Sequence, residues 1–257
     1  TTNELVDNGG SGVIQAGKRS DREGYPLNSI FGLRYCGKIQ TEEQLQKYVN
    51  KYKNNSSIGT LNNLRLGDNM FEDVNKDGKL DAEDLVYLGT DDPKMQFSIN
   101  AGVEWKGLDF SIVFQGAGKR TVWREKSTWR IPMRTTYQNG SNQFIGNTWT
   151  PENTGAYYPA LTNKSELNNY NYQCSSWSVE DGSYLRLKNV TLGYTLPSSL
   201  LAKTKVLSKV RFYVSGSDLW EHSNISDGWD PEASSEVDNA KRYPFLRTVT
   251  FGLNLTF

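Results

Sequence analysis

Residues 248–257 read TVTFGLNLTF. Val249, Phe251, Leu253, Leu255 and Phe257 fall on one side of an extended chain, and Thr248, Thr250, Gly252, Asn254 and Thr256 on the other. Successive side chains of a strand point to opposite faces, so strict alternation describes a strand with one apolar and one polar surface. The alternation runs unbroken to a terminal aromatic residue. A strand of a soluble sandwich also alternates, but an aromatic carboxy terminus is less usual there. The segment reads better as part of a membrane wall.

The same pattern recurs upstream. Phe97, Ile99, Ala101, Val103 and Trp105 alternate with Ser98, Asn100, Gly102 and Glu104. Lys106-Gly107 is a tight turn, and Leu108, Phe110, Ile112 and Phe114 then alternate with Asp109, Ser111, Val113 and Gln115. Each arm is about as long as the ~9–11 residues that a strand needs to cross a bilayer. Residues 184–196 and 209–220 supply two more strands, the first carrying Val190, Leu192, Tyr194 and Leu196 on one face at its distal end. In the second, Val210, Phe212 and Val214 oppose Arg211, Tyr213 and Ser215. Between them, PSSLLAKTKVLSK predicts a short link with a helical turn capped by Ser198 or Ser199.

Connection length sorts by side. The links 106–107 and about 197–208 are short, whereas the connections 117–183 and 221–246 are long. Outer-membrane barrels join their strands by short periplasmic turns and long extracellular loops, so the terminal strand is expected to finish in the periplasm. The expected division is 1–94, an extracellular loop region with a short helix, and 95–257, about five barrel strands with long loops. The helix is TEEQLQKYVNKY at 41–52, where Thr41 and Gln44 form a capping box and Leu45, Tyr48, Val49 and Tyr52 a stripe. Facing follows from the alternation. Val249, Phe251, Leu253 and Leu255 are expected to meet lipid, with Phe110, Ile112 and Phe114. An arginine at Leu253 is expected to cost roughly 2–4 kcal/mol, as it would near the midplane.

Bulk properties agree with a barrel and exclude other classes. Lys plus Arg equals Asp plus Glu at 29 each, which lacks the basic excess of a nucleic-acid binder. No window approaches the ~18 apolar residues of a membrane-spanning helix. Barrel strands alternate, so a mean hydropathy of −0.64 is compatible with them. The 7 Trp and 14 Tyr suit interface girdles or sugar-binding surfaces. Cys36 and Cys174 match no zinc or redox spacing, and a lone disulfide or two free thiols both satisfy the sequence. The chain starts at Thr1 with neither Met nor signal peptide, which suggests a missing beginning.

One motif carries sharp chemistry. DVNKDGKLDAED at 73–84 fits a calcium loop of the D-x-[DN]-x-[DN]-G type. Asp73, Asn75 and Asp77 stand at positions 1, 3 and 5, and Gly78 allows the turn at 6. Lys79 offers its carbonyl at 7, Asp81 stands at 9 and Asp84 at 12. Calcium takes six to eight hard oxygens, which this spacing can gather. A solvated Asp/Asn turn without metal is the simpler alternative. The preceding LRLGDNMFE is not an entering helix, so a structural staple is expected rather than a regulatory EF-hand. No catalytic constellation is expected: His222 is read in a polar loop without a partner, and Glu180-Asp181 as a solvated loop edge rather than a glycosidase pair.

The order of these stretches resembles the SusC/RagA family of TonB-dependent outer-membrane transporters. The resemblance rests on EGYPLNSIFGLRYCGKIQTEEQL at 23–45, FEDVNKDGKLDAEDLVYLGTDDP at 71–93, KGLDFSIVFQGAGKR at 106–120 and WTPENTGAYYPAL at 149–161. It continues through WSVEDGSYLRLKNVTLGYTLP at 177–197, VRFYVSGSDLW at 210–220 and YPFLRTVTFGLNLTF at 243–257. It implies an all-β fold, the C-terminal strands of a transmembrane antiparallel β-barrel that has 22 strands in the family, with an N-terminal plug and a TonB-contact segment. It also implies a SusD-like lipoprotein lid and import of oligosaccharides or peptides. Neither plug nor TonB-contact segment is present in these residues. The alternative on the residues alone is a soluble extracellular carbohydrate-binding β module stapled by Ca2+.

Overall fold

The computed structural model describes residues 19–20, 24–52, 61–124, 142–202, 206–225, 229–233 and 246–257. In chain order its strands are β1 (Arg19–Ser20), β2 (Ser29–Gly32), β3 (Tyr35–Lys38), β4 (Asn69–Phe71), β5 (Val86–Thr90), β6 (Met95–Trp105) and β7 (Leu108–Gly118). They continue with β8 (Thr121–Val122), β9 (Glu180–Asp181), β10 (Tyr184–Thr195), β11 (Lys209–Ser223) and β12 (Thr248–Thr256). The helices are α1 (Glu42–Tyr52), α2 (Ser165–Asn171) and α3 (Ser198–Leu201). Two compact units result. Within the described residues, one draws on Thr1–Asp92, Arg120–Asp181 and Glu232–Arg242, and the other on Pro93–Lys119, Gly182–Pro231 and Tyr243–Phe257.

The second unit is a five-stranded antiparallel sheet in the order β12-β11-β10-β7-β6. All five strands read from the sequence are there. Lys106 and Gly107 have φ of 48° and 88°, the two positive values that a type I′ hairpin requires, and glycine meets the second without a Cβ penalty. The link from β10 to β11 carries α3, as expected. Its cap differs: Pro197 stands at the N-cap and no side chain bonds the first turn, so neither Ser198 nor Ser199 caps it. Serines inside the helix leave capping to the preceding residue, and proline's fixed φ suits a helix start.

The first unit forms its own core. Glu42 and Glu43 open α1 and Lys51 lies in its last turn, charges that complement the helix dipole. Gln44 N–H donates to Thr41 Oγ1 at 3.2 Å. The return bond of the expected capping box shifts by one residue, because Gln44 Oε1 accepts from Gln40 N–H at 2.9 Å. Leu45 and Tyr52 are buried with Leu33, Ile39, Phe71 and Tyr170, and Tyr48 and Val49 pack against them. Cys36 is exposed and Cys174 buried, and the two form no disulfide.

Candidate functional site

The sheet owes its character to register. Residues directly opposite in an antiparallel pair share a face. Val103, Phe110, Leu192, Val214 and Phe251 form one continuous cross-strand row. Ala101, Ile112, Val190, Gly216 and Val249 form the next row. Trp105, Leu108, Tyr194, Phe212 and Leu253 form the row that starts at the 106–107 turn. The opposite face presents Gly102, Ser111, Thr191, Ser215 and Thr250 in one row and Asn100, Val113, Asn189, Ser217 and Thr248 in another. One side is apolar and the other carries hydroxyls and amides, with Val113 the exception.

The apolar side is uncovered among the described residues. Phe251 is 82% exposed, Val103 60% and Val249 57%. A soluble sandwich would bury such residues against a second sheet. A contiguous apolar surface of this extent marks a membrane or partner contact. Eleven residues of β6, at about 3.4 Å each and tilted about 45°, rise about 26 Å, which matches the ~25 Å apolar band of a barrel.

A bulge keeps the faces consistent. Along β10 the apolar residues run Leu185, Leu187, then Val190, Leu192, so their phase slips once. The pairing with β7 shifts between Leu187 and Asn189, leaving Lys188 as the extra residue. Leu187 thereby opposes Phe114, and Arg186 is carried to the face of Gln115. Arg186 is fully buried there. Its Nε donates to Glu221 Oε2 at 2.7 Å and its Nη2 to Asp230 Oδ1 at 2.7 Å. At the other end of the polar face, Arg211 Nε donates to Asp109 Oδ1 at 2.8 Å. The fixed charges on this face thus stand towards its two ends, with neutral hydroxyls and amides between them.

The carboxylate loop lies in the first unit. Gly78 has φ of 84°, the left-handed turn expected at position 6, and Leu80 is fully buried. Asp73 Oδ1 accepts from Asp77 N–H at 3.1 Å and Oδ2 from Gly78 N–H at 3.0 Å. Asn75 Oδ1 accepts from Asp77 N–H at 3.0 Å, and Asp77 Oδ1 from Lys79 N–H at 2.8 Å. Asp81 Oδ1 accepts from Glu83 N–H at 2.9 Å, while Asp84 accepts from Val74 N–H at 2.7 Å and Asp81 N–H at 3.0 Å. Asp81 and Asp84 together make a reciprocal capping box on the 3-10 turn Ala82–Asp84. Lys51 Nζ stands 3.5 Å from Asp73 Oδ2. The donor types suit a hard cation, but their oxygens are turned onto the loop's own N–H groups. Among the described residues no three His, Cys, Asp or Glu side chains converge as a metal-holding group.

Other polar groups of this unit hold distant segments together. Asp68, Asn69 and Asn171 are buried. Asp68 accepts from Arg65 N–H at 2.7 Å and from Asn171 Nδ2 at 2.8 Å. Burial pushes the Asp68 carboxyl above its ordinary range, against the pull of these hydrogen bonds. Burial likewise pushes the Tyr48 and Tyr170 hydroxyls, 3.1 Å apart, well above the usual phenol. Arg124 grips Glu180 through two 2.8 Å bonds, and Arg120 Nη2 meets Asp91 Oδ1 at 2.8 Å and Ala233 O at 2.8 Å. The sequence offers Trp123, Trp129, Trp149 and Trp177 of the long connections either as anchors for a docked partner or as packing within the loops. Trp123, Trp149 and Trp177 are 8%, 7% and 9% exposed and pack within their own unit, and Trp129 lies outside the described residues.

Comparison with known proteins gives a consistent picture. No family model matches the chain. It is 30% identical over 269 residues to TonB-dependent receptor P3 of Formosa agariphila, covering 98% of this chain and 24% of the relative. It is 28% identical over 192 residues to TonB-dependent receptor SusC of Bacteroides thetaiotaomicron, covering 74% of this chain and 18% of that protein. The structure of the RagAB peptide transporter superposes with a TM-score of 0.67 at 22% identity, over 92% of this chain and 23% of that one. The RagAB peptide importer in its 'open-open' state gives 0.65 at 24% identity over the same shares. The chain spans about a quarter of the length of the curated relatives P3 and P26.

Proposed function

We propose that this chain, a segment of the SusC/RagA type, supplies five adjacent strands of the wall of a TonB-dependent outer-membrane importer. The observation that carries the reading is the register-sorted sheet, whose apolar side is left uncovered over five strands. In this reading Val103, Ile112, Val190 and Phe251 meet lipid, and Ser111, Thr191 and Ser215 meet the lumen. An open strand edge in hydrocarbon would strand its N–H and C=O groups, so β6 and β12 pair with strands outside this chain. The relatives are receptors and transporters by name.

The finer reading follows. Oligosaccharides or peptides cross the lumen, energy arrives through TonB by way of segments outside this chain, and a SusD-like surface lipoprotein closes over the long connections on the extracellular side. The loop 73–84 binds Ca2+ as a structural staple, through Asp73, Asn75, Asp77 and Asp84 side chains and the Lys79 carbonyl, with Asp81 direct or through water. The motif spacing and its oxygen-only donors support this. Deleting the gene in the bacterium tests the import reading. Loss of growth on one oligosaccharide or peptide, restored by the intact gene but not by one lacking β12, is the expected result. A folded monomer of these 257 residues in detergent-free buffer contradicts the wall reading.

A further inference from the structure

We propose that the rim of the sheet at its short links binds the headgroup of an anionic phospholipid, with Lys106 as the cation and Trp105, Tyr194 and Phe212 as the aromatic belt that fixes its depth. The proposal rests on the membrane-wall reading above and adds a lipid class to it.

The platform is built rather than incidental. Thr195 N–H donates to Gly107 O at 2.7 Å, which ties the hairpin tip to the next strand. Lys106 Nζ sits 4.9 Å from the centre of the Trp105 ring, within cation–π range. Trp105 is 64% exposed, Phe212 50% and Tyr194 39%, and all three share the cross-strand row that starts at the 106–107 turn. Trp and Tyr prefer the water–membrane boundary, where an apolar ring and a polar tip are both accommodated.

Charge is sorted across the wall at this edge. Glu104, Asp109 and Arg211 lie on the polar face by register, and Arg211 occupies Asp109. The turn between Trp105 and Leu108 adds Lys106 and no acid, whereas Lys209, opposite Thr256, stays on the polar face with Arg211. Lys106 is therefore the charge that the hairpin tip adds on the Trp105 side, where it complements an anionic headgroup. A single lysine near such a surface favours it about two- to fivefold.

The test uses the full-length barrel containing this chain, reconstituted in phosphatidylcholine vesicles with a fraction of phosphatidylglycerol. Brominated acyl chains quench nearby tryptophans, and the difference between parent and Trp105→Phe isolates Trp105. At equal mole fraction, brominated phosphatidylglycerol is expected to quench Trp105 with a relative association constant about two- to fivefold above that of brominated phosphatidylcholine. Lys106→Gln should bring that ratio to one while quenching by both lipids persists. Equal quenching in the parent, or a preference that Lys106→Gln leaves unchanged, overturns the headgroup assignment and leaves the wall intact. Quenching by neither lipid overturns both. A preference abolished by excess inorganic phosphate shows a phosphate site and overturns the lipid claim.

Discussion

Phe251 in the sheet leaves 82% of its surface exposed, whereas Phe31 and Phe71 in the loop unit leave 0% and 1%. Both regions are rich in aromatic side chains, but they dispose of them oppositely. The loop unit folds inward around Leu33, Phe71 and Tyr170 and stitches its segments with buried ion pairs and amides. The sheet buries little and turns its apolar side outward. One unit behaves as a protein that water drives together, the other as a surface that requires a second solvent.

The contrast makes mutational sensitivity depend on the solvent. Phe71→Ala removes a ring wholly enclosed by Tyr48, Tyr170 and their neighbours, and should destabilise the loop unit by about 3–5 kcal/mol. Limited proteolysis against denaturant would read this. Phe251→Ala should change the loop unit by nothing measurable. If the two substitutions cost the loop unit the same, the division between the regions fails.

Facing grades the next effect. Leu253→Arg lies on the apolar side and should cost about 2–4 kcal/mol near the midplane of a bilayer, whereas Thr250→Arg on the polar side should cost much less. Reversible folding into vesicles gives both values. Equal costs would remove the membrane reading.

The metal prediction separates the regions again. With Ca2+, Asp73, Asp77 and Asp84 should exchange their N–H partners for the cation, and protease resistance of the loop should rise. Asp77→Ala should abolish the calcium response and leave heat-modifiable migration of the barrel unchanged. No heat of binding in a calcium titration of the parent would contradict the staple.

The smallest effect is in pH. Burial raises the Asp68 carboxyl above its ordinary value, so the folded loop unit holds that proton more tightly than the unfolded chain. The stability linked to this proton is fully present below the unfolded value and is lost as pH rises through the folded one. The stability of the parent relative to Asp68→Asn should therefore fall as pH rises from the ordinary carboxylate range upward. A gap that widens with pH would mean that the Arg65 and Asn171 hydrogen bonds outweigh burial.

How much the sequence shows also divides by region. Period-two alternation is local, so each of the five strands could be read from its own residues. The phase slip between Leu187 and Val190 went unread, and the pairing with β7 identifies it as a bulge that brings Arg186 to the polar face. In the loop unit the decisive contacts are remote. Leu33 N–H reaches Cys174 O at 3.0 Å and Asn69 N–H reaches Asn171 Oδ1 at 2.8 Å, across long stretches that no short-range pattern connects. Helix α2, with no side-chain cap and a polar run of Asn and Glu, carries little helical signal and is placed by the burial of Leu167 and Tyr170. The carboxylate loop was legible as a motif. Its spacing specifies which atoms are available, while the burial of Asp73 and Asp84 against backbone N–H groups depends on the surrounding fold.

The central claim, that one face of the sheet meets lipid and the other water, is tested most directly by spin-labelling each position of 249–255 in the full-length barrel in bilayers. Accessibility to oxygen and to a water-soluble nickel complex would then be compared. The account predicts oxygen-rich, nickel-poor environments at Val249, Phe251, Leu253 and Leu255 and the reverse at Thr250, Gly252 and Asn254, in strict alternation. Nickel accessibility that is uniform along the strand, or protection of both sets from both reagents, would contradict it.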